Sequence, residues 1–106
     1  MNHLVIDLET MGNKPNAAIV SIGAVFFEPD TGEIGNTFYS NVQLESETEL
    51  GASLDAGTIM WWLQQSSEAR AAIASASLPV AKVLLDLTLF VSECRTSTSV
   101  HVWGNG

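Results

Sequence analysis

A single cysteine, Cys94, excludes an internal disulfide and a cysteine-built metal centre, and its setting in an apolar stretch predicts a packed thiol. Basic residues are almost as scarce. Lys14, Arg70, Lys82 and Arg95 stand against twelve acids, for a formal charge of -8. That balance predicts solubility and disfavours nonspecific binding to a polyanion, whose phosphates are usually met by Lys and Arg. Two routes remain open to nucleic acid: acids that gather divalent cations, or a basic surface elsewhere in a longer protein. No apolar run reaches the ~18 residues of a membrane span, and Met1 leads into a strand-like segment rather than a basic, then apolar, signal. A cytoplasmic protein with no membrane association is expected. Repeats and low-complexity tracts are also missing.

What the sequence does have is core-forming material. Hydrophobic residues make up 46% of the 106 positions and charged residues 15%, which predicts one globular domain over residues 1–106. Residues 3–9 read as a strand: Leu4, Val5 and Ile6 form an apolar run, and His3, Val5, Asp7 and Glu9 share a face by period-two alternation. Loop formers Gly12, Asn13, Pro15 and Asn16 follow. Residues 18–27 and 36–42 read as strands joined by the turn chemistry of Glu28-Pro29-Asp30-Thr31-Gly32, an antiparallel hairpin.

Residues 43–51, with the acids from Glu45 to Glu49, read as a solvated connector. Asp55 is a candidate N-cap for a helix running through Thr58 to Leu63, and Ser66 or Ser67 for a second, with Glu68 in its first turn. Pro79 opens a third helix, whose stripe Val80, Val83, Leu84, Leu87 and Val91 should pack on the sheet. Residues 99–103 alternate as a fourth strand. A helical crossover of this length permits a return to a parallel strand. The fold class is therefore α/β, a mixed sheet of three antiparallel strands, then helices, then a fourth strand.

The chemistry-bearing feature is Asp7-Leu8-Glu9. Side chains two apart on a strand project to one side, so both carboxylates face one point where the strand meets its loop. Two hard oxygen donors suit Mg²⁺ or Mn²⁺, which keep positions for water and phosphate oxygens. A bare Asp-x-Glu is equally a polar strand end. Asp7 follows an apolar triplet, however, and a carboxylate buried there would need compensation that a metal supplies.

These residues resemble the DEDD, or DnaQ-like, superfamily of 3'-5' exonucleases. Its first motif looks like Val5-Ile6-Asp7-Leu8-Glu9-Thr10, and its second strand like Ile19-Val20-Ser21-Ile22-Gly23-Ala24-Val25. Residues 55–70, with Thr58 to Gln65, resemble a phage, prophage and bacterial branch. The resemblance implies a ribonuclease H-like fold, metal-dependent hydrolysis of phosphodiester bonds from the 3' end of single-stranded DNA or RNA, and a two-metal Mg²⁺ or Mn²⁺ site. In it the match to Asp7 contacts both metals, and the match to Glu9 binds the ion that activates water. The closing Val102-Trp103-Gly104-Asn105-Gly106 resembles the approach to the second motif. The next Asp, the third motif with its general base, and the last strand and helix would lie past residue 106, so the chain reads as a fold incomplete at its C-terminus. Such a copy should have impaired activity. The alternative is a catalytically inactive remnant or small interaction domain.

Trp61 and Trp62 are adjacent, so on a helix they point about 100° apart and one should be at a rim. Either stacks a nucleobase or packs. Thr10 and Met11 are candidates for touching the terminal nucleotide, or form a simple loop. His101 reads as a strand residue, not a general base. An incomplete sheet exposes an edge and an apolar helix surface, which predicts marginal stability or self-association.

Overall fold

The computed structural model describes residues 1–104, so Asn105 and Gly106 of the closing motif lie outside it. The elements run β1 (His3–Thr10), β2 (Ile19–Phe27), β3 (Ile34–Asn41), α1 (Leu44–Thr48), α2 (Ala56–Leu63), α3 (Ser67–Ala74), α4 (Val80–Cys94) and β4 (His101–Gly104). The sheet order is β3-β2-β1-β4, with β1, β2 and β3 antiparallel and β4 parallel to β1. This is the mixed α/β sheet that the strand pattern predicts. The hairpin turn closes through the Gly32 N–H on Glu28 O, 2.8 Å, and Gly32 takes the left-handed conformation (φ 75°) that its lack of a Cβ allows.

Alternation puts Val20, Ile22, Ala24 and Phe26 of β2 on one face, where they are buried. There α4 lies over Ile22, Ala24 and Phe26, with Val80 and Val83 in the cluster of Ile22 and Val42, and Phe90, Val91 and Cys94 against Leu4, Ala24 and Phe26. The predicted stripe needs one correction. Leu84 is 46% exposed, and Phe90 and Cys94 complete the packed face instead. At the sheet's end, Ile59, Trp62 and Ile73 from α2 and α3 pack around Met11, Ala18 and Val20.

The helix caps follow their chemistry. Asp55 Oδ2 accepts from the Thr58 N–H at 2.9 Å, and Ser66 Oγ, not Ser67, accepts from the Ala69 N–H at 3.2 Å. Pro79 caps α4 without a side-chain bond, and the Val80 N–H finds Ser46 Oγ at 3.0 Å. That contact depends on a second correction: residues 43–51 are not a plain solvated connector, because Leu44–Thr48 form a helical turn with Glu47 buried in it. Among the described residues, no helix is long and apolar enough to cross a membrane.

Candidate functional site

Asp7 and Glu9 sit on the face of β1 opposite α4, near the strand's C-terminal end, and both are exposed. The triplet before them is only partly buried: Leu4 is in the core, while Val5 and Ile6 are intermediate. Burial therefore does not itself demand a cation at Asp7, because among the described residues no helix lines the face it shares with Val5. A cavity of about 510 Å³ opens there instead, lined by Val5, Asp7, Val25, Phe27, Ile34, Trp103 and Gly104.

The cross-strand neighbours are small. Asp7 pairs with Gly23 and Glu9 with Ser21, so no bulky side chain stands opposite either carboxylate. Two hard oxygen donors on one face fit Mg²⁺ or Mn²⁺. Among the described residues, no group of three or more His, Cys, Asp and Glu side chains comes together, so the donor set described here is this pair.

Around the pair, β1 ends in a register shift. Glu9 pairs with Ser21 but Thr10 with Ile19, which leaves Val20 as an extra residue. Thr10 Oγ1 donates to Gly12 O at 2.9 Å, and the Trp62 indole N–H donates to Thr10 O at 3.0 Å. Met11 is 5% exposed, its N–H donates to Ala18 O and its carbonyl accepts from the Asp55 N–H. Its side chain is therefore turned into the core, and only its backbone helps shape the loop after the carboxylates. Trp62 is half-buried against the same cluster, while Trp61 is 52% exposed, with the two rings edge to face at 5.0 Å. His101 lies in β4, 5.3 Å from the ring of His3, and Trp103 Nε1 donates to His3 Nδ1 at 3.2 Å.

Sequence reasoning missed Glu47. Its Oε1 accepts from the Ile19 N–H at 2.6 Å, while Oε2 is buried with no hydrogen-bond partner among the described residues. Burial pushes its carboxyl above the usual range, and the Ile19 N–H opposes that in part. Nothing within an acidic run distinguishes the one glutamate that turns inward.

A family model for the 3'-5' exoribonuclease Rv2179c-like domain matches residues 2–106. The chain belongs to that family. Membership places it in the DEDD exonuclease superfamily that its motifs resemble. An exodeoxyribonuclease of Enterobacteria phage T4 is 31% identical over 90 residues, covering 78% of this chain and 39% of the phage protein. The fold recurs in the nuclease domain of 3'hExo, a DEDDh family member solved with rAMP, at a TM-score of 0.65 and 19% identity over 98% of this chain and 51% of that one. Cell-death related nuclease 4 matches at a TM-score of 0.59 and 10% identity, over 97% of this chain and 35% of its own. The chain thus spans between about a third and a half of the length of these relatives.

Proposed function

We propose that this chain supplies part of a metal-dependent 3'-5' exonuclease site that hydrolyses phosphodiester bonds at the 3' end of a nucleic acid strand. The observation that carries the reading is the acid pair: Asp7 and Glu9, two apart on β1, exposed at the strand end opposite Gly23 and Ser21. In this reading both carboxylates hold Mg²⁺ or Mn²⁺. A divalent ion bound there supplies charge stabilisation at the phosphate and a more acidic water. The pair also concentrates the negative charge that draws cations to this end of an already acidic chain.

Other residues of the chain serve position. Thr10 and Met11 form a turn locked by hydrogen bonds from both sides, which supports a fixed floor beside the carboxylates. The exposed ring of Trp61 offers a base a stacking face, and Trp62 anchors the helix that carries it. The names of the relatives point to both RNA and DNA, so both belong in the assay.

The test is release of mononucleotides from 3'-ended single strands of each kind by the purified chain with Mn²⁺, against EDTA and Asp7→Ala. We expect release that needs the metal and is lost in Asp7→Ala. Folded protein that binds Mn²⁺ through Asp7 yet releases nothing would instead assign the chain the second role, a non-catalytic remnant or interaction domain.

A further inference from the structure

The acidic run of residues 45–49 contains one carboxylate out of keeping with the rest. Glu45 and Glu49 are exposed, whereas Glu47 is 5% exposed and one of its oxygens meets no donor among the described residues. On burial grounds alone a leucine would suit the spot better, since Val80, Leu84 and Ala52 line the same pocket. What a leucine lacks is an acceptor, and the acceptor is used. Glu47 Oε1 takes the Ile19 N–H at 2.6 Å, a short, charge-assisted bond.

Ile19 is a consequential residue to hold. It pairs with Thr10, one step beyond Glu9, and the strand shifts register between the two because Val20 is the additional residue on β2. A bulge bends its strand, sharpens the local twist and so re-aims the neighbouring side chains. The carboxylate that fixes Ile19 thereby fixes the bend at which β1 presents Glu9. Its own helix is pinned in turn: the Ala52 N–H donates to Glu47 O at 3.0 Å, and Ser46 Oγ accepts from Val80 of α4. Through these contacts Glu47 joins α1, the start of β2 and the end of β1.

We propose that Glu47 is a positioning residue for the acid pair, its buried carboxylate setting the β2 bulge that aims Glu9 toward the cation. This rests on the reading that Asp7 and Glu9 hold a divalent ion. Residues that orient ligands without touching the metal typically change its affinity about 10- to 100-fold when altered.

The test uses the full chain and Mn²⁺ alone as the probe, with binding followed by the electron spin resonance of free Mn²⁺ and by paramagnetic broadening of the Glu9 and Thr10 amides. Asp7→Ala is measured first, because Mn²⁺ binding that survives it would overturn the underlying reading and this one together. Given binding that depends on Asp7, Glu47→Gln keeps a carbonyl acceptor and should bind Mn²⁺ like the parent. Glu47→Leu should weaken binding about tenfold while far-ultraviolet dichroism stays unchanged, and should move the Ile19, Glu9 and Thr10 amide resonances. Glu47→Asp keeps the charge but withdraws the acceptor by one methylene, and it decides the matter if the leucine variant does not fold. Weakened binding in Glu47→Asp with retention in Glu47→Gln supports positioning through the Ile19 bond. Parental Mn²⁺ affinity in Glu47→Asp or Glu47→Leu, or a Glu47→Gln variant as weak as Glu47→Leu, would overturn it.

Discussion

Adjacent side chains on a helix diverge by about 100°, and Trp61 and Trp62 divide accordingly. Trp62 turns into the cluster of Met11, Ala18 and Val20 and donates its indole N–H to Thr10 O, whereas Trp61 keeps half its surface in solvent. Trp62→Phe keeps an aromatic ring but loses that bond and part of the indole's packing volume, so it should cost about 1–3 kcal/mol in urea unfolding. Trp61→Ala should change stability by less than about 0.5 kcal/mol but weaken affinity for a single strand by about 1–3 kcal/mol if the ring stacks a base. Unchanged strand binding by folded Trp61→Ala would remove Trp61 from the substrate site. That one of the pair would be exposed was legible from the sequence; which one was not. The deciding partner, Thr10 O, lies 52 positions away, and no local pattern carries it. Glu47 was hidden for the same reason, since its use depends on Ile19, 28 positions earlier. Asp7 and Glu9 were legible because a period of two is purely local. The burial expected at Asp7 was not met, because burial depends on what covers the face.

At the scale of elements, caps were readable and covering partners were not. Asp55 begins α2 through bonds from the Thr58 N–H and hydroxyl, both at 2.9 Å, and these hold its carboxyl below the usual carboxylate range. A carboxyl whose folded value is depressed adds stability that is present above its unfolded value and lost as the pH falls through the folded one. Asp55→Ala should therefore lower Tm at pH 7, and the gap to the parent should shrink in scans below about pH 4, where the unfolded chain's carboxyl begins to take up a proton while the folded one does so only lower. A gap constant down to pH 2 would mean that the charge contributes nothing to the cap. For α1 the signal was too short: five residues give barely one turn, and their acids read as solvent-facing until Glu47 is seen turned inward. In α4 the 3.6-residue period predicted the packed face, but Leu84 fell outside it because the sheet contacts run from Val83 to Leu87 and on to Phe90, Val91 and Cys94.

For the whole molecule, the antiparallel hairpin and the mixed α/β class were legible in the strand pattern, and solved structures of the same fold agree; the crossover length only permitted a parallel return, and the seat of β4 beside β1 rests on a pairing that no local pattern carries. One face of the sheet carries no helix among the described residues. Val5, Val25, Phe27, Ile34 and Trp103 line it beside Asp7, and β3 and β4 leave both sheet edges unpaired among the described residues. Apolar surface next to free edges favours pairing with a second copy, while a net charge of -8 opposes it. Salt screens the repulsion and leaves the apolar attraction, so sedimentation velocity should find a dimer fraction that grows with NaCl and is suppressed in Trp103→Asp. One monomer boundary at every concentration and salt level would refute this.

The pairing of β1 with β4 joins His3 to His101, 98 positions apart, whereas the β2–β3 hairpin joins Phe27 to Ile34 across seven. Closing the longer loop takes nearly four doublings of length, about 2 kcal/mol of additional chain entropy. A nascent chain leaving the ribosome therefore holds β1, β2 and β3 together while one flank of β1 is still bare. Throughout that interval the strand carrying Asp7 and Glu9 offers its backbone to any passing strand, and only the emergence of β4, long after β1, brings the partner that closes it.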